Sequence, residues 1–261
     1  MAPPQTSTLP KPTDFPTSLS PQIHLPPNAQ PTNAIIFLPG LGDNASNFSS
    51  FARALNLPDA LTITLNPPFP LPAALALPGS QWSDNLHIDS GSGSLDADSS
   101  PLNLAVKLVA DDVVASTLLA TFKFRPDQIH LFGFGQGGSV ALAVPLHPSL
   151  AAVSSALGGV VSIGGGIPLS LSLGASAPKG KGKVRTPVLL LSGSKSPLAA
   201  TASSPLMRVR GAYEFVEYHC WKKADDSMPK NRDEVLPLMQ FWARRLRSRR
   251  GVPDDAVELT G

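Results

Sequence analysis

Five short apolar runs, each closed by a turn signal, constrain this chain more than any other feature. They are Ala34–Leu38, Leu61–Leu65, Ile129–Phe134, Val160–Ile163 and Val188–Leu191. Each is too short for a stable helix and reads as a strand; Ala34–Leu38 is all apolar, which suits burial on both faces, and Val160–Ile163 and Val188–Leu191 read as further buried strands. Helical patterns fall between them. A short helix is expected around Asn47–Leu55, with Asn44 or Ser46 as its N-cap. Leu104–Phe122 places Val106, Val109 and Val113 on one stripe, and Gln136–Leu146 opens directly behind a strand. Tyr213–Tyr218 is expected as the last strand. Val235, Leu238, Met239, Trp242 and Leu246 then form the apolar stripe of a closing helix. Strands separated by helices pair in parallel through right-handed crossovers. The fold class is therefore α/β, with a mostly parallel central sheet covered by helices on both faces.

The flanks are different. Nine of the chain's 28 prolines lie in residues 1–32, where missing donors and fixed φ forbid a regular helix. Residues 1–17 read as a Pro-rich mobile arm, 18–250 as one domain and 251–261 as a tail; Ser18–Leu25 could pair as an edge strand. A single Cys, Cys220, cannot make an internal bridge, and its sequence context suits a buried structural thiol. The formal charge of +2 gives no reason to expect nucleic acid. No run of about 18 apolar residues predicts a membrane span, and the first thirty residues lack a signal-peptide core, so the expected location is cytoplasmic. The five histidines lack ligand spacing, and no metal or cofactor is expected. Asp84, Asp89, Asp96 and Asp98 read as a solvated acidic loop. Lys179–Lys183 reads as a solvated loop too, and the arginines from Arg244 to Arg250 favour the negative end of the last helix.

The junction Leu131-Phe-Gly-Phe-Gly135-Gln-Gly-Gly-Ser139 carries the functional argument. Read as G-x-G-x-x-G, it is a dinucleotide fingerprint, which needs an acid about twenty residues on; residues 150–165 contain none. Read as a nucleophile elbow, it belongs with four other motifs. These are Gly40-Leu41-Gly42-Asp43, Trp82 in Gln-Trp-Ser-Asp, the run Thr186–Gly193, and Asp226-Ser227 ahead of the closing helix. In this order they resemble the phospholipase/carboxylesterase family of α/β hydrolases, which includes the acyl-protein thioesterases. The resemblance spans about residues 20–248. It implies an α/β-hydrolase fold and an oxyanion site formed by the N–H groups of Leu41 and Gln136, with Gly42, Gly137 and Trp82 beside it.

The departures coincide with the chemistry. By resemblance, the nucleophile position is Gly135, the acid position Ser196 and the base position Asp226, while Pro39 replaces the first histidine of the oxyanion loop. A carboxylate cannot stand in for imidazole as a proton shuttle near neutral pH without a large pKa shift. Acid content gives an independent check, because this triad runs Ser, Asp/Glu, His along the chain. Between Asp127 and Glu214 lie 86 residues with seven Lys/Arg and no acid, where average composition gives about six. Glu217 and His219 share a strand face and read as a polar pair. Ser139 lies one turn into its helix, and Ser192-x-x-Lys195 ends a strand instead of opening a helix. The expectation is a family member that retains fold and pocket and has lost serine-hydrolase chemistry. It would take a small acyl, ester or anionic ligand, or a protein partner. The rival is an active carboxylic ester or thioester hydrolase using residues outside the family pattern.

Overall fold

The sheet is built around the run at residues 33–38, whose six residues are all buried. In the computed structural model, residues 9–27, 30–72, 78–86, 100–151, 153, 155–170, 182–199 and 204–248 are described. The chain runs β1 (Gln22–His24), β2 (Asn33–Leu38), α1 (Ala45–Ala54) and β3 (Ala60–Thr64). A two-residue ribbon, β4 (Phe69–Pro70) with β5 (Ser80–Gln81), precedes α2 (Asn103–Lys107), which continues as a π-helix over Leu108–Thr121. Then come β6 (Ile129–Phe134), α3 (Gln136–Ala143), α4 (Pro148–Ala151) and β7 (Gly159–Ile163). β8 (Val188–Ser192), α5 (Pro205–Ala212), β9 (Val216–Cys220) and α6 (Arg232–Ala243) complete the order.

Seven strands lie in the order β1-β3-β2-β6-β7-β8-β9, with every pair parallel except β1 against β3. Side chains alternate between the two faces of each strand, so each apolar run feeds two cores. Ile36, Leu131 and Val160 face the layer made by α2, the π-helix and α3. Ile35, Phe132 and Val161 face α1 and α6, where Phe37, Phe48, Phe132 and Trp242 form an aromatic cluster. Asn44 caps α1 by accepting from the Asn47 N–H at 3.0 Å. Asn231 caps α6 in the same way, and Glu234 reaches back to the Lys230 N–H at 2.9 Å.

Four expectations are corrected. The segment after Lys107 keeps its buried stripe but winds with five-residue closures, the last of them from the Phe122 amide to Thr117 O at 3.0 Å, and the Thr117 and Thr121 hydroxyls donate back to Asp112 O and Ser116 O. Its buried pairs, Val109/Ala110, Val113/Val114 and Thr117/Leu118, recur every four residues, wider than the 3.6 of an α-helix. Tyr213 lies outside the continuous strand. It follows α5 fully buried, donates to Leu142 O and makes an isolated parallel bridge to Val184, and β9 starts three residues later. From residue 9 the Pro-rich arm lies against the domain: Phe15 and Leu19 are core residues, and the Thr117 hydroxyl donates to Asp14 O. Residues 1–8 lie outside the described residues. Cys220 is exposed, because β9 is the edge strand and this position faces outward.

Candidate functional site

The C-terminal ends of the parallel strands gather the loops that follow β2, β6, β7, β8 and β9. Gly135 sits between β6 and α3 with φ 51° and ψ −119°, a sharp strand-to-helix turn that L side chains rarely adopt. Its amide donates to Ile163 O at 2.8 Å, and a Cβ placed on it would meet no atom within 4 Å. The turn is thus held by its backbone and opens onto free space. The glycines around it serve a different need. A Cβ on Gly137 would stand 2.3 Å from both Leu38 O and Pro39 O, and one on Gly133 would stand 2.3 Å from Gly137 O. That contact lets the loop after β2 lie directly against the head of α3.

This juxtaposition brings Leu41 and Gln136 to the same rim. Their amides donate to no backbone carbonyl among the described residues, and α3 adds the positive end of its dipole. The amide of Gly42, by contrast, is committed to Ser80 O at 2.8 Å. Trp82 ties the arrangement together. Fully buried, it donates its indole N–H to Pro39 O at 2.8 Å, and its backbone N–H to the Gln136 side-chain oxygen at 2.7 Å. One residue therefore holds both the loop after β2 and the first residue of α3.

Ser196 and Asp226 come from loops that are zipped together. Ser194 N donates to Lys223 O and Lys195 N to Ala224 O, and Gly193 packs so tightly that a Cβ would meet Asp225 O at 2.3 Å. Within this seam the Asp226 carboxylate accepts from the Ser196 hydroxyl at 2.7 Å and from the Gly193 amide at 2.8 Å. Both oxygens are engaged, so the pair is a staple between two loops. Lys223 fixes the far side, donating to Ser227 O at 2.6 Å and pairing with Glu234 at 3.0 Å. The staple faces the glycine turn. Asp226 lies over Gly164 (φ 67°), and next to it a Cβ on Gly165 would stand 2.5 Å from Gly135 O. The three positions thus converge from three loops.

The other candidates do not converge on this turn. Ser139 stays in the α3 backbone, its hydroxyl 3.5 Å from Gly135 O. Ser192 is buried and bonded to the Tyr218 hydroxyl at 2.9 Å. Burial, then Cys220 and Asp226, hold the Tyr218 phenol above its ordinary range, against the opposing pull of Ser192. Glu217 does not pair with His219; its carboxylate is taken by Arg244 and by Arg245 at 3.1 Å. His147 hydrogen-bonds to Ser149 at 2.8 Å through the same ring nitrogen that lies 3.2 Å from Asp111, which is not the two-nitrogen geometry of a triad. Asp84 is exposed; His87, Asp89, Asp96, Asp98, Lys179, Lys181, Arg249 and Arg250 lie outside the described residues. No cluster of three metal-ligating side chains occurs among the described residues. Nor is any helix there long and apolar enough to cross a membrane. The residues that the motif reading passed over are Gly164 and Gly165. Their signal is the Gly-Gly-Gly run straight after a buried strand.

Residues 22–232 match the phospholipase/carboxylesterase family. An uncharacterized hydrolase of Schizosaccharomyces pombe is 28% identical over 87% of this chain and 89% of its own length. An uncharacterized hydrolase of Mycosarcoma maydis is 29% identical over 84% of this chain and 78% of its own. Among solved structures, acyl-protein thioesterase 2 of Zea mays superposes with a TM-score of 0.62 at 18% identity, covering 87% of this chain and 99% of that one. The carboxylesterase of Bacillus cereus superposes with a TM-score of 0.58 at 13% identity, covering 87% and 95%.

Proposed function

The chain belongs to the phospholipase/carboxylesterase family, and on that premise we propose that it keeps the family's pocket without its serine-hydrolase chemistry. It acts by binding a small acyl, ester or anionic ligand, or by engaging a protein partner, as a regulatory pseudoenzyme of the cytoplasm. The observation that carries this reading is the glycine at position 135. The turn that would present a nucleophile is folded, aimed at open space and without a side chain.

Two further observations support it. Asp226, at the position of the general base, has both carboxylate oxygens bound to Gly193 and Ser196, and it has no imidazole with which to shuttle a proton. No acid stands between Asp127 and Glu214 to orient a base. What remains is electrostatic. The amides of Leu41 and Gln136 at a helix N-terminus can hold a carbonyl or carboxylate oxygen, and Trp82 keeps the two segments in register.

Hydrolysis of short-chain aryl esters and labelling by a fluorophosphonate test the reading together. Both are expected to match a heat-denatured control. Turnover with covalent labelling would establish the rival reading, an active ester or thioester hydrolase with a nucleophile elsewhere, and would overturn ours. Gly135→Ser alone is expected to restore neither signal, because base and acid are still missing. For binding, octanoate should shift the amide resonances of Leu41 and Gln136; unshifted amides at saturating octanoate would remove the anionic-ligand part.

A further inference from the structure

The opposite end of β6 carries a group that the candidate site does not use. His130 is fully buried on the α6 face of the sheet, between Ile35 of β2 and Gly159 of β7. Neither ring nitrogen has a hydrogen-bond partner. The ring is pressed against Gly158, where a Cβ would meet its Cε1 and Nε2 at 2.5 Å. Over the adjacent Gly159 lie Phe241 and the Arg245 side chain, whose Cδ would stand 3.5 Å from a Cβ there. The Nε atom of Arg245 and the indole nitrogen of Trp242 are also buried without partners.

The cover over His130 is the segment that follows α6. Arg247 exchanges two hydrogen bonds with the Asn33 side chain, at 3.0 and 2.7 Å, and pairs with Asp127. Ser248 donates to Asp59 at 2.9 Å, and the Thr32 hydroxyl donates to Arg247 O at 2.8 Å. Arg244 and Arg245 pair with Glu217 of β9. Residues 244–248 thus form a strap tied by polar bonds, and Arg245 within it lies beside the buried imidazole.

We infer that His130 is an acid-operated release for the strap at residues 244–248. A proton on the ring creates a charge with no acceptor in reach, beside the guanidinium of Arg245, and lifting the strap is the shortest route to water. Asp127, from the turn before β6, opposes this by favouring the charged ring, but its carboxylate is shared by Arg247 and Arg125. β2 and β7 present no charged side chain to the ring, and Glu217 is screened from it behind Arg245.

Burial first, and Arg245 second, lower the His130 pKa from 6.5 to about 4. The neutral ring therefore favours the closed strap fully above the ordinary value, and that preference is lost as pH falls from about 6.5 to about 4. Asp127 acts in another window. Its folded pKa lies below 3.8, so its ion pair with Arg247 weakens only below that value.

Amide hydrogen exchange at residues 244–248, corrected for intrinsic rates, tests the inference on the full chain. Protection is expected to fall about tenfold per pH unit between 6.5 and 4.5, while β6 and β7 stay protected. His130→Leu should flatten that slope, and Glu217→Gln should leave it in place. If His130→Leu does not fold, NMR titration of the five ring Cε1 resonances replaces it. The His130 midpoint should coincide with that of strap opening in the wild type. An unchanged slope in His130→Leu, a midpoint below pH 3.8, or loss of β6 protection together with the strap would overturn the proposal.

Discussion

β6 enters and leaves the sheet on opposite compromises. At its start, His130 is a side chain without hydrogen-bond partners, held by packing on all sides. At its end, Gly135 is a backbone turn with its hydrogen bond made and no side chain at all. The first end has a polar group without partners; the second has partners and open space without a side chain. The difference teaches that the shape of a sharp turn is stored in backbone packing and does not depend on the side chain it presents.

That comparison can be broken most directly at its glycines. Gly137→Ala drives a Cβ into Leu38 O and Pro39 O, both backbone, and is expected to cost about 3 kcal/mol in urea unfolding. Gly135→Ala should cost about 1 kcal/mol, from the left-handed φ alone, because its Cβ meets nothing. Equal costs would mean that space and strain do not separate the two positions.

At the other end, the whole-protein counterpart of the strap measurement is stability against pH. His130 has a folded pKa of about 4 against an ordinary 6.5. It therefore contributes stability above the ordinary value that is lost on acidification through this window, amounting to about 3 kcal/mol. The urea midpoint of His130→Leu should vary less with pH over that range than the wild type's; identical slopes would refute the assignment.

The staple is expected to matter less. Asp226→Ala removes acceptors from the Gly193 amide and the Ser196 hydroxyl, and should cost about 2 kcal/mol. Fluorophosphonate labelling of that variant should stay blank, the outcome expected of the wild type too. Trp82→Phe is the mildest change. It strips Pro39 O of its indole donor, costs about 1 kcal/mol, and should broaden the Leu41 and Gln136 amide resonances by loosening the rim.

Most of the fold is legible because buried parallel strands have a strong signature. The five apolar runs became β2, β3, β6, β7 and β8 with bounds shifted by one residue at most. Asn44, one of two candidate caps, is the one whose side chain closes on α1. Where the reading slipped, a tertiary contact decided. Tyr213 resembles the start of a strand, yet its hydroxyl reaches Leu142 O across the interior. Phe15 sits in a Pro-rich segment, and nothing local says that a pocket beside Leu19 and the π-helix receives it. On α6 the sequence stripe runs through Val235 and Met239, whereas the buried edge runs through Leu238, Phe241 and Trp242.

Residue identity alone carried the family pattern, and it put Gly135, Ser196 and Asp226 where the resemblance expects a serine, an acid and a histidine, since side-chain identity needs no coordinates to be read. It could not say that Ser196 and Asp226 bond to each other, or that Asp226 packs on Gly164 while Gly165 packs on Gly135. Nor could it distinguish an imidazole in water from His130, sealed under Arg245. Those facts depend on which loops close against which, and that is settled by packing between segments far apart in the chain.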